Sequence, residues 1–188
     1  MERKTPRVIG IDDAPFRKGQ REPVPIVGVV MEGSRLVEGV AIGSFPADGG
    51  GATDYLAGWI GSMRWAPALQ AVLLGGVTIA GLGIIDIGDL SRRLGVPVIS
   101  TTRRGTGSSD LEAALRAAGL SERLAILERI PPSRGIRHGI HIAHAGTSDE
   151  DAEEIVRSTL GPSKVPEPIR IAHLIGAALV RGASRGRV

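Results

Sequence analysis

The feature that most limits the fold is a set of short β-branched runs, three in succession and then one at a time between helical segments. Val8 to Ile11 is a continuous apolar run closed by Asp12-Asp13 and Pro15, which predicts a buried strand whose end presents carboxylates. Pro25 to Met31 and Leu36 to Ile42 predict two more strands, joined by Glu32-Gly33-Ser34-Arg35, the residue types of a hairpin turn. Asp48-Gly49-Gly50-Gly51 predicts a loop. Thr53 to Trp65 predicts a helix, with Leu56, Ile60 and Met63 at helical spacing. Leu69 to Leu74 is apolar throughout, as a central strand covered on both faces would be. After the glycine-rich turn from Gly75 to Gly81, a helix is expected from about Ile84 to Leu94, stopped by Gly95. Val96 to Thr101 predicts another strand.

The second half continues the alternation. Ser109 and Glu112 form a capping box for a helix with the stripe Leu111, Ala114, Leu115 and Ala118. Arg123 to Ile130 is compatible with helix or strand. Gly139 to Ala143 predicts a late strand. Ser148 heads a helix opening on Asp149, Glu150 and Asp151, acids that complement the helix dipole. Pro166 and Pro168 lead into a last helix with the stripe Ile171, Leu174, Ile175, Ala178 and Leu179. A hairpin sheet extended by parallel strands is an α/β mixed sheet. With no repeat and no linker, residues 1–181 are expected to form one domain, followed by a loose Arg/Gly/Ser tail over 182–188.

Composition excludes several function classes. The chain has no cysteine, which removes disulfides, thiolate catalysis, zinc fingers and iron–sulfur clusters. No apolar run approaches the ~18 residues of a membrane span, and the charged start lacks a signal-peptide core, so a cytoplasmic protein with no membrane partner is expected. Only Phe16, Phe45, Tyr55, Trp59 and Trp65 are aromatic, too few for a base-stacking platform. The formal charge of +3 does not by itself indicate nucleic acid. The absence of Asn and the presence of only Gln20 and Gln70 suggest a thermophile.

Four groups of residues carry candidate chemistry. Asp12 and Asp13 at a strand end are hard oxygen donors for Mg²⁺ or Mn²⁺, but strand alternation sends them to opposite faces. The same residues also suit a cap or a turn before Pro15. His138, His141 and His144 would share a helix face, but Ile140 and Ile142 between them favour a strand, and a structural role is the expectation. Gly81-Leu82-Gly83 starts a dinucleotide fingerprint and does not complete it. Arg103 and Arg104 follow a predicted strand, where ligands of open α/β sheets dock, so a phosphate contact and a solvated loop are both compatible with them.

Pro166-Glu167-Pro168-Ile169-Arg170-Ile171-Ala172-His173 resembles the C-terminal motif of endonuclease V. Gly10-Ile11-Asp12, Gly75-Gly76 and Gly95-Val96-Pro97-Val98-Ile99 follow that family's other motifs in order. Together with Asp12-Asp13-Ala14-Pro15-Phe16 and Gly76-Val77-Thr78-Ile79-Ala80-Gly81, they look closer still to a mainly archaeal, uncharacterised family related to it. The resemblance implies an RNase H-like fold, a five-stranded mixed sheet flanked by helices. It implies a nuclease that uses Mg²⁺ or Mn²⁺ on modified or single-stranded nucleic acid. Asp12 takes the place of the first metal-binding carboxylate and His173 the last-helix position, as catalytic residues; Arg103, Arg104 and Arg170 would contact phosphate. The second carboxylate has no match, Asp48 and Asp54 being near but out of pattern. The third falls on Gly75. Either Asp13, Asp54 or Asp86 completes the metal site from elsewhere, or the chain is an inactive relative that binds nucleic acid or a protein partner.

Overall fold

The computed structural model describes residues 5–103 and 108–184. The expected hairpin layer is present as β1 (Arg7–Asp13), β2 (Val24–Glu32) and β3 (Leu36–Phe45), followed by α1 (Ala52–Gly61) and β4 (Ala71–Leu74). A small hairpin of β5 (Thr78–Ile79) and β6 (Gly83–Ile84) leads to α2 (Ile87–Leu94) and β7 (Val98–Thr102). Then come α3 (Ser108–Ala117), α4 (Leu124–Leu127), β8 (Arg134–Ile136), β9 (Ile140–Ala145), α5 (Asp149–Thr159) and α6 (Glu167–Arg181).

The main sheet has seven strands in the order β3-β2-β1-β4-β7-β9-β8, not five. One of the additional strands, β8, is Arg-Gly-Ile at the sheet's edge, too short to show an alternation in sequence. β1, β4 and β7 run parallel, whereas β2 and β9 are antiparallel to the strands they flank. The carboxyl ends of β1, β4 and β7 therefore share one edge, which the start of β9 joins.

Alternation along the central strands divides the core. Ile9, Ile11, Val72, Leu74 and Val98 pack with Leu56 and Ile60 of α1 and Ile87 and Leu90 of α2. Val8, Ala71, Leu73 and Ile99 pack with Ala152 and Val156 of α5 and Ile169 of α6. Four of the five aromatic rings are spent inside the first layer. Phe45, Tyr55 and Trp59 follow one another at centroid separations of 5.1 and 5.8 Å. Trp59 and Trp65 lie against Gly43 and Gly39 of β3, where a Cβ would collide with the rings.

Several expected boundaries shift for local reasons. The Gly75–Gly81 turn contains β5, and Ile84 belongs to β6 rather than to a helix. α2 starts later because Asp86 is its cap, accepting the Asp89 amide at 2.9 Å. α1 ends at Gly61, short of Trp65. α3 opens at Ser108, which places Ser109 inside the helix instead of at its cap. Part of the ambiguous segment 123–130 is the short helix α4.

α6 is seated on β1 through two glycines. A Cβ on Gly10 would lie 2.5 Å from the Pro168 carbonyl carbon and Cβ, and a Cβ on Gly176 would lie 3.0 Å from the Ala14 Cα. From Pro168 to Gly176 a helix rises about 12 Å, and from Gly10 to Ala14 a strand advances about 13 Å. The helix thus tracks the strand closely, which brings His173 level with Asp12. Gly10→Ala forces backbone apart and is expected to cost about 1–3 kcal/mol, measured by urea denaturation. An unchanged midpoint would contradict this packing.

Candidate active site

The site lies where the shared strand edge meets α6. A cavity of about 480 Å³ is lined by Asp12 of β1, Gly75 after β4, Thr101, Thr102 and Arg103 at the end of β7, Ile140 of β9, and Lys164, Ile169, Arg170 and His173 at and before α6. Carboxyl ends of parallel strands are where open α/β sheets bind ligands, because the edge is left clear of crossovers.

At its centre His173 Nδ1 is 2.9 Å from Asp12 Oδ2. When Nδ1 carries the proton and donates it to the carboxylate, Nε2 is left as a free base on a side chain that is 60% exposed. Burial, then the charge of Asp13, pushes the Asp12 carboxyl up to about 6, opposed by His173. Asp13 turns to the other face, as alternation requires, and its Oδ2 accepts the Ala80 amide at 3.0 Å. Burial also raises the Asp13 carboxyl.

The other acids are engaged away from this cavity. Asp86 caps α2 and receives Arg129 at 2.9 Å. Asp54 pairs with Arg93 at 2.6 Å, and Asp48 accepts the Leu82 amide at 2.9 Å. Gly75 supplies no acid: a Cβ there would sit 3.2 Å from Asp12 Oδ1. Among the described residues no group of three His, Cys, Asp or Glu is placed to hold a metal ion. Asp12, Asp13 and Asp86 therefore do not converge, and the residues present do not make a protein-held Mg²⁺ or Mn²⁺ cage.

Of the expected phosphate contacts, Arg103 and Arg170 line the cavity and Arg104 lies outside the described residues. Arg170 is forked onto the buried Glu167 at 2.8 and 2.7 Å, which raises its guanidinium and fixes its direction. Lys164 completes the basic rim. Sequence reasoning missed it, although it is one of only three lysines and stands just before the Pro166–His173 motif. His141 and His144 lie on β9, and His144 Nε2 is 2.7 Å from Asp149 at the start of α5.

The family model described as endonuclease dU matches residues 4–180. The chain belongs to the endonuclease dU family. The chain is similar to the UPF0215 protein of Methanothermobacter thermautotrophicus, at 35% identity over 184 residues, covering 96% of this chain and 90% of that protein. The corresponding protein of Methanosarcina acetivorans is 36% identical over 194 residues, with 96% and 94% coverage. A crystal structure of a protein of unknown function from Archaeoglobus fulgidus superposes with a TM-score of 0.85 at 30% identity, covering 94% of this chain and 99% of that one. Ciona intestinalis endonuclease V, in complex with a 24mer DNA containing an inosine followed by a ribo-adenosine, superposes with a TM-score of 0.57 at 14% identity, covering 89% and 82%. The fold is thus shared with endonuclease V. It is a mixed α/β sheet flanked by helices, and no described helix is long and apolar enough to cross a membrane.

The raised Asp12 carboxyl has a stability consequence. A folded-state pKa above the unfolded value favours the protonated form, so its contribution is present at low pH and lost as pH rises through about 6. Asp12→Asn removes that loss. Above pH 6 the variant is expected to be more stable than the parent by on the order of 1–3 kcal/mol, with the difference fading toward pH 4. Thermal unfolding across pH measures it, and a destabilised variant at pH 8 would contradict the assignment.

Proposed function

We propose that this protein is a phosphodiester hydrolase acting on nucleic acid that carries a deaminated base, with deoxyuridine in DNA as the first substrate to test. The observation that carries the proposal is the Asp12–His173 pair set in a cavity with a basic rim. The family description names dU, and the Ciona structure holds inosine-containing DNA. Uracil and hypoxanthine are both deamination products.

In the proposed reaction, the phosphate is held by Arg103 and Lys164, with Arg170 contributing the donors that Glu167 leaves free. Arg104 belongs to the same proposed group. Asp12 holds the Nδ1–H tautomer of His173. Nε2 then takes a proton from a water as that water's oxygen attacks phosphorus, the P–O bond to one sugar oxygen breaks, and the departing alkoxide takes up a proton from solvent. The basic rim stabilises the charge that gathers on the phosphate oxygens. A divalent ion in this cleft would find Asp12 as its carboxylate and would depend on substrate phosphate and water for its remaining contacts.

A second reading has its own support. Gly75 beside Asp12, and acids that do not converge, suit a protein that binds nucleic acid without cutting it. One experiment separates the two. Labelled single- and double-stranded DNA and RNA, with and without deoxyuridine or inosine, are incubated in Mg²⁺, Mn²⁺ and chelator. Cleavage is expected, reduced at least about 100-fold by Asp12→Ala and by His173→Ala, and falling as pH drops through about 6. Equal cleavage by parent and variants would refute the assigned site. Binding without cleavage, weakened as salt rises, would establish the second reading.

In the binding step itself, Arg103→Ala and Lys164→Ala are each expected to reduce the slope of log affinity against log salt by about one. An unchanged slope would remove those residues from the phosphate site.

A further inference from the structure

Among the described residues the large hydrophobic side chains left exposed are Leu36, Val37, Val40 and Ile42 of β3 and Leu179 and Val180 at the end of α6, each 40–55% exposed. Four of the six lie on β3. β3 is the edge of the sheet, and its outer rim of N–H and C=O groups pairs with no other strand. Its two faces are treated differently. On one, Trp59 and Trp65 fill the space above Gly43 and Gly39. On the other, Ile171 and Ile175 of α6 pack with Val27, Val29 and Met31 of β2. The ladder partners of those three β2 residues are Ile42, Val40 and Val37 of β3. The apolar floor that α6 covers over β2 thus continues uncovered onto β3.

The edge also lacks the usual defences. Exposed edge strands are normally guarded by Lys, Pro or an inward charge. From Leu36 to Phe45 the one charged side chain is Glu38, which occupies the bulge opposite Val30 and Met31 and pairs with Arg7 of its own chain. Beyond the bulge, Gly39 to Ser44 is uncharged and free to pair.

We propose that β3 joins β3 of a second copy of this chain, antiparallel and across a two-fold axis, so that the two sheets become continuous, Ile42 meets its own counterpart and Val40 lies opposite Ser44. Self-pairing is the solution that satisfies both edges with one patch, as an isologous interface requires. The four exposed β3 side chains present roughly 300 Å² of apolar surface, the lower end of the patch size that signals an interface on a monomer. Their burial with the paired backbones makes a small interface, below the ~800 Å² per partner of a standard one. A partner of opposite charge is not indicated, because the free segment carries no charge.

The test is the mass of the full chain in solution by light scattering and sedimentation over a wide concentration range. The expected mass is twice the 19.6 kDa of one chain. Ile42→Lys brings like charges together at the axis and is expected to weaken association at least about 100-fold. The position is more than half exposed, so the fold should tolerate the change. Because the chain has no cysteine, Ile42→Cys gives an independent arm: oxidation should cross-link it into dimers, while Ser121→Cys, exposed elsewhere, should not cross-link. A mass of one chain at every concentration overturns the proposal. So does a dimer indifferent to Ile42→Lys, or cross-linking at Ile42 no faster than at Ser121.

Discussion

Everything in the cleft depends on how closely α6 can lie on β1. Gly10 and Gly176 remove the side chains that would hold helix and strand apart, one at each end of the contact. Between them, eight residues of helix and four of strand cover nearly the same length, about 12 and 13 Å, and bring position 173 opposite position 12. The Asp12–His173 pair is therefore a consequence of backbone proximity. The proline at position 168 that opens the helix is also the residue that touches Gly10, so the start of α6 and its docking are set by the same short motif.

The electrostatics of the edge follow from strand alternation. Asp12 and Asp13 are neighbours in sequence but serve opposite faces, one in the cavity and one bonded to the Ala80 amide. Their mutual repulsion, added to burial, keeps the Asp12 carboxyl less acidic than usual, and a hydrogen-bonded imidazole offsets part of that cost. The space beside Asp12 is kept open by Gly75, and positive groups gather on the rim instead. The result is a cleft with one carboxylate, one imidazole and a basic border, chemistry suited to holding a phosphate diester next to a base.

Much of this was legible in the sequence. The apolar runs gave the hairpin layer and the central strands because buried strands need unbroken hydrophobicity. The motif Pro166–His173 marks α6, and strand alternation alone separates Asp12 from Asp13. Other features left no local signal. β8 is three residues long, and the β5–β6 hairpin lies within a glycine-rich turn, so neither shows a period. Asp86 had the residue type of a metal ligand, but its position one residue before a helix makes it a cap, and Arg129, 43 residues away, claims its other oxygen. Lys164 becomes part of the site only through the loop that returns α5 to α6.

The most direct test of the central claim is the protonation of His173, observed by nitrogen NMR of the imidazoles with a His173→Ala sample to assign its signals. The account predicts that the neutral ring carries its proton on Nδ1, hydrogen-bonded to Asp12, and that the signals of Nε2 move when deoxyuridine-containing DNA is added. A neutral ring protonated on Nε2, or signals indifferent to Asp12→Asn and to nucleic acid, would contradict it.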